Sequence, residues 1–143
     1  MLYLLDTCVL VSALRSRTGA SFRLLDLVLD GIVPIVVNYK LLLEYKAVLS
    51  RQILTEQLPI SAEQVDIIIS AILTLGFEMR VHFRMRPNLP DEGDNFISEL
   101  AFAASPCTIV THNVRDFQRA ELHWPGVFLA TPAKVLRMKK GTT

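Results

Sequence analysis

A few acidic side chains stand where chemistry could be built. The apolar run Met1–Leu5 ends on Asp6-Thr7 and leads at once into a second apolar run, Cys8–Leu14. A buried strand that stops on a carboxylate and passes into a helix puts that carboxylate at the carboxyl edge of a sheet, where open α/β folds keep their sites. Asp6 is equally suited to cap the following helix, and on its own residue type capping is the commoner role. Asp91, Glu92 and Asp94 crowd one loop and the first turn of a helix, more acids than a single cap requires. Asn113 and Asp116 directly follow another apolar run. Glu44 lies among Leu41, Leu42, Leu43, Tyr45, Ala47 and Val48, either on the solvated side of an amphipathic helix or as an inward carboxylate held by a metal.

In a parallel sheet all strand carboxyl ends lie on one edge, so these stations can converge. Converging carboxylates repel one another and call for a counter-charge. Hard divalent cations such as Mg²⁺ or Mn²⁺ supply it, take oxygen ligands and keep several waters. Sites of that kind carry out phosphoryl transfer or phosphodiester hydrolysis.

Other chemistries find no motif. The chain has no G-x-x-x-x-G-K-[ST] or G-x-G-x-x-G for phosphates or dinucleotides and no G-x-S-x-G elbow for a serine nucleophile. His82, His112 and His123 lack zinc spacing, and surface or capping roles suit them better. A haloacid-dehalogenase phosphatase needs a second Asp two residues after the first, and Cys8 holds that place.

The elements that would position these groups are legible as alternating apolar runs and helical stripes, the pattern of βαβ units. Strands are expected at Leu2–Leu5, Ile32–Val37, Phe77–Val81, Thr108–Thr111 and Val127–Ala130. Helices are expected over Ala20–Leu29, stopped by Asp30-Gly31, over Tyr39–Leu49, from the capping box Ser61-Ala62-Glu63-Gln64 to Gly76 as C-cap, over Asp94–Ala104, and over Pro132–Met138 with Thr131 as N-cap. Right-handed crossovers then give an α/β fold, a three-layer α/β/α sandwich around a central five-stranded parallel sheet. Pro87, Asn88 and Pro90 make Arg86–Gly93 an exposed loop within a single domain spanning residues 1–143.

The composition is oily, 51% hydrophobic with a net charge of +1, which suits a buried subunit interface. No apolar stretch is long enough for a membrane span. The N-terminus lacks the basic region and cleavage site of a signal peptide, and two distant cysteines make no disulfide framework, so a cytoplasmic location is expected.

With these residues located, the chain resembles the PIN domain family, in particular the branch of bacterial toxin–antitoxin toxins distantly similar to VapC. The resemblance spans Leu2 to about Leu136. Leu5-Asp6-Thr7-Cys8-Val9-Leu10 is similar to the strand-one motif, Leu43-Glu44-Tyr45 with Val48-Leu49 to the second, Asp91-Glu92-Gly93-Asp94-Asn95-Phe96 with Glu99-Leu100-Ala101 to the third, and Val110-Thr111-His112-Asn113 with Asp116-Phe117 to the fourth. Four motifs in order are far more specific than any one.

The resemblance implies a metal-dependent endoribonuclease in which Asp6, Glu44 and Asp94 match the most constant acids and bind Mg²⁺ or Mn²⁺. Asn113 fills a fourth place that is often Asp, with Asp116 beside it to complete the shell. Cys8 stands where the family commonly has Asn or Ser, which removes a polar contact near the site. Thr7 and Thr111 would position phosphate or water, though capping suits both as well, and Arg15, Arg86 and Arg115 would form a cationic rim for RNA. A cognate antitoxin and a homodimer are implied as partners, the latter consistent with the oily Ile67–Phe77 segment. The rivals are a non-catalytic module of the same fold that binds RNA or a partner, and a small metal-dependent phosphatase.

Overall fold

The computed structural model describes residues 1–80, 92–118 and 124–140, with the side chains of residues 92–95 and 140 outside that set. β1 (Leu2–Leu5) leads into α1 (Thr7–Arg15) and α2 (Ala20–Leu29), then β2 (Val36–Val37), α3 (Tyr39–Thr55), α4 (Ala62–Leu75) and β3 (Phe77–Glu78). α5 (Glu92–Ala103), β4 (Cys107–Val110), α6 (Val114–Gln118), β5 (Val127–Ala130) and α7 (Pro132–Lys140) follow.

β1, β4 and β5 form one parallel sheet in the order β1-β4-β5, with Leu5 level with Val110 and Val110 level with Ala130. β2 and β3 pair in parallel beside it, and a parallel bridge between Tyr3 and Ile35 joins the two. The five strands therefore run in the order β3-β2-β1-β4-β5. From β1 the chain moves outward through β2 to β3 and then crosses back to β4 and β5. Right-handed crossovers in opposite directions place their helices on opposite faces, so α1 to α4 cover one face and α5 and α6 the other. The three-layer sandwich follows. α7 packs back on α2.

Ile32–Val37 contracts to two strand residues for a local reason. The amides of Ile32 and Val33 both donate to the Leu27 carbonyl at the end of α2 (2.9 and 3.2 Å), and Pro34 has no N–H to give. The preceding Gly31 supplies the left-handed turn at φ +78° that lets the chain fold back this way. β4 is shifted one residue from its expected span, although the Thr111 amide still donates to the Ala130 carbonyl at 3.0 Å. α3 continues six residues beyond Leu49 to Thr55, because no Gly or Pro interrupts it. β3 ends at Glu78, since Met79 and Arg80 are not part of the strand expected to reach Val81, and Val81 itself lies outside the described residues.

The cap signals match the sequence at most ends. Asn38 accepts the Leu41 amide at 2.8 Å, Ser61 and Gln64 form the reciprocal box, and Thr131 accepts the Lys134 amide at 3.2 Å. Gly76 caps α4 in extended conformation, φ −75°, so the freedom of glycine to turn left-handed is not used. A Cβ there would sit 2.7 Å from a Val37 methyl carbon and 2.9 Å from the Ile72 carbonyl oxygen. Glycine serves at this point for the closeness of α4 to β2.

The core lies on both faces of the sheet, with Leu4, Leu5, Leu10, Leu24, Leu41, Leu49, Ile72, Leu100 and Ile109 fully buried. Among the described residues no helix is long and apolar enough to cross a membrane.

Candidate active site

The strand order reverses at β1, since α1 leaves its carboxyl end toward one face and α6 leaves β4 toward the other. The crevice outside the carboxyl ends of β1 and β4 is the switch point at which open α/β sheets bind ligands. Asp6 follows β1 and Thr111 follows β4, and both side chains are buried there, at 7% and 0% exposure.

Their bonds fix the carboxylate. Asp6 Oδ2 accepts from Thr111 Oγ1 at 2.8 Å and more weakly from the Cys8 thiol at 3.5 Å, while Oδ1 accepts the Thr7 amide at 2.9 Å. The Asp6 amide donates to the Val110 carbonyl at 3.0 Å, which ties the residue to the neighbouring strand. Thr111 Oγ1 in turn accepts the Asn113 amide at 3.0 Å, and the Cys8 sulfur accepts the His112 amide at 3.5 Å. An aspartate doing nothing but capping would take the second or third amide of its helix. Asp6 takes only the first, and its other oxygen is turned to a threonine 105 residues away.

Cys8 thus makes the polar contact that its residue type had appeared to remove. Burial and the Asp6 charge raise its thiol pKa above the ordinary 9.0, which keeps it protonated as a donor.

Glu44 is exposed on α3. One residue on, Tyr45 is fully buried and its hydroxyl donates to the Leu5 carbonyl, the last of β1. Burial first and the nearby Asp6 charge second hold this phenol well above its usual pKa, so it remains a donor. At the far end of α1, Arg15 Nη2 donates to Gln52 Oε1 at 3.0 Å. α1 and α3 therefore run side by side in the same direction, joined at the head by Tyr45 and Leu5 and at the foot by Arg15 and Gln52. Between them opens a cleft of about 560 Å³, lined from α1 by Thr7, Cys8, Val11, Ser12 and Arg15, from α3 by Val48 and Gln52, and by His112. Glu44 stands four residues before Val48 and eight before Gln52 on one stripe of α3, toward the Asp6 end, but it is not itself part of the cleft lining.

α5 reaches the same end. Lys40, one turn before Glu44, lies over the Phe96 ring with its Nζ 4.3 Å from the centroid. Asp94 is two residues before Phe96 in the first turn of α5, and its side chain is outside the described set. Asn113 is exposed and joins the network through its amide. Asp116 is half-buried in the first turn of α6, where its amide donates to the Asn113 carbonyl at 3.1 Å. Arg115 is exposed on the same short helix. Arg86 lies outside the described residues. The His112 ring, expected on the surface, is exposed at the cleft with Nε2 3.1 Å from Ser21 Oγ.

A hard cation fits this donor set. A carboxylate offers roughly four lone-pair positions; Oδ2 uses two, on Thr111 and Cys8, and Oδ1 uses one on Thr7, which leaves one on Oδ1. Among the described residues no three His, Cys, Asp or Glu side chains cluster closely enough to cage a metal. Mg²⁺ needs no such cage, because it binds through one or two carboxylates and retains water.

The family model described as PIN domain matches residues 3–115. The chain belongs to the PIN domain family. The match takes in Asp6, Glu44, Asp94 and Asn113 and ends on Arg115, one residue short of Asp116. Among solved structures, VapBC2 from Rickettsia felis bound to a DNA fragment from their promoter matches with a TM-score of 0.60 at 19% identity, over 92% of this chain and 98% of that one. VapBC-1 from nontypeable Haemophilus influenzae matches with a TM-score of 0.60 at 16% identity, over 93% and 99%. At these identities the shared property is the PIN fold. No curated protein matches the sequence.

Tyr45, Val48, Gln52 and Ser12 were not marked by residue type as site residues. The four-residue spacing from Glu44 through Val48 to Gln52 was the signal available for two of them.

Proposed function

We propose that this PIN domain is a Mg²⁺- or Mn²⁺-dependent endoribonuclease, the toxin of a toxin–antitoxin pair. The observation that carries the reading is the buried Asp6 carboxylate at the switch point, oriented by Thr111 and Cys8 with one lone pair left over. In this reading Asp6 and Asp94 would hold the cation directly, Glu44 would orient a water bound to it, and Asn113 with Asp116 would complete the shell through water. When bound, the cation supplies positive charge against the phosphate and lowers the pKa of water.

The remaining work belongs to the chain's own groups. Thr111 gives its one proton to Asp6 and so acts by fixing the carboxylate. Thr7 lines the cleft, and its hydroxyl would donate to a phosphate oxygen there. Arg15, Arg86 and Arg115 supply positive charge for an RNA backbone. The similarity in fold to two VapBC structures supports a small antitoxin as partner. Exposed Ile67, Leu73 and Phe77 on and beside α4 support a homodimer. The same reading has the protein act in the cytoplasm, where RNA and an antitoxin would both be met.

Single-stranded RNA incubated with Mn²⁺ tests the reading. The parent is expected to cleave it, and Asp6→Asn and Asp94→Asn to abolish cleavage while circular dichroism stays unchanged. Mn²⁺ at about 100 times its Kd adds about 2.7 kcal/mol of stability to the parent and raises its Tm, but not that of Asp6→Asn. Undiminished cleavage by either variant refutes the assignment.

A further inference from the structure

We propose that the cleft between α1 and α3 is a base-reading pocket, in which the Arg15–Gln52 pair holds a guanine next to the scissile phosphate. The proposal rests on the ribonuclease reading and adds a sequence preference to it.

The cleft begins at the reacting end, where Thr7 and Cys8 flank Asp6, and continues along α1 to Arg15. Nine residues of helical rise put Arg15 about 13 Å from Asp6. That separates the Arg15 end of the cleft from the Asp6 end, so the two can engage different parts of one RNA strand. The volume of about 560 Å³ is that of a small-molecule site.

The lining is that of a base pocket more than of a phosphate pocket. Val11 and Val48 offer apolar walls from opposite helices, which the faces of a base can cover and a phosphate cannot use. At the foot the groups are donors. Arg15 has five N–H groups, and the bond to Gln52 uses one of them. That bond occupies the Gln52 carbonyl oxygen and leaves the amide NH₂ as a donor. Two adjacent acceptors that match the arginine fork occur on guanine, O6 and N7, and on the unpaired edge of cytosine, N3 and O2. The guanine pair is the commonest partner of arginine, and the larger purine face covers more of the two valine walls. Gln52 also holds the guanidinium across the cleft before any ligand arrives, which lowers the ordering cost of binding.

Short single-stranded RNAs that differ only in the bases beside the cleaved bond provide the test. With Mn²⁺ the parent is expected to cleave the guanine-flanked substrate with a kcat/KM about 10 to 100 times that of the same RNA with adenine, cytosine or uracil there. Arg15→Ala and Arg15→Lys are both expected to bring that ratio to about one with unchanged Tm, because lysine keeps the charge and loses the fork. A second readout needs no cleavage: fluorescence anisotropy of the same RNAs on Asp6→Asn, expected to favour guanine, against Asp6→Asn with Arg15→Lys, expected to show no preference. Cleavage indifferent to the flanking base, or a preference that survives Arg15→Lys, overturns the pocket and leaves the ribonuclease standing. Guanine-selective binding without any cleavage overturns the ribonuclease and leaves the pocket. Neither cleavage nor selective binding overturns both.

Discussion

The hydroxyl of Tyr45 donates to the carbonyl of Leu5. Tyr45 is the residue after Glu44 and Leu5 the residue before Asp6, so one buried hydrogen bond fixes the helix carrying one candidate ligand against the strand carrying another. Phe96 under Lys40 brings in the first turns of α5 by the same principle. The relative placement of the two candidate ligands thus depends on Tyr45, whose hydroxyl is held by the Leu5 carbonyl.

Tyr45→Phe keeps the ring in its packing and removes only the hydroxyl. The loss is expected to cost about 1 to 2 kcal/mol of stability and to raise the Mn²⁺ concentration for half-maximal cleavage by about 10-fold. Denaturant unfolding and a metal titration separate the two effects. A lowered midpoint with an unshifted metal curve would show that the bond serves stability alone.

Thr111 is a more direct test of how Asp6 is held. Thr111→Val preserves shape but leaves Asp6 Oδ2 without its hydroxyl donor and the Asn113 amide without an acceptor. Cleavage is expected to fall about 10- to 100-fold, and Thr111→Ser to restore most of it. Equal loss in both variants would count against the hydroxyl.

The two thiols should differ in reactivity toward Ellman's reagent. Burial pushes Cys107 up to about 12, so at pH 8 only about one molecule in ten thousand carries the thiolate. Cys8 is also raised, by burial and by Asp6, and is half-buried at the cleft. In both cases the neutral form is favoured, so reaction speeds up as pH rises toward the raised pKa. One slow thiol is expected in the native protein and two in denaturant. Two fast native thiols would contradict this environment.

Gly76→Ala probes the contact between α4 and β2. The new methyl would meet Val37 at 2.7 and 2.8 Å, and strain of about 1 to 3 kcal/mol is expected. Relief by Val37→Ala in a double-mutant cycle would locate the strain at this pair. Additive losses would place it elsewhere.

The sequence by itself determined the elements and their order. The apolar runs around Leu4 and Ile109, the stop at Asp30-Gly31, the cap at Asn38 and the Ser61–Gln64 box depend on periodicity and local hydrogen bonds, which short segments carry. The acids at strand ends were legible for the same reason, and so was the fold as an α/β sandwich. The length of β2 was not, because the Ile32 and Val33 amides are taken by Leu27, a competition that apolarity does not record. The role of Gly76 was also hidden, since its need for a missing Cβ comes from Val37, 39 residues away. Only the tertiary structure turned Thr111 toward Asp6, joined Tyr45 to Leu5, and opened a cleft between Val11 and Val48. These contacts span large separations in sequence, and the packing of parallel strands and helices decides which distant side chains meet.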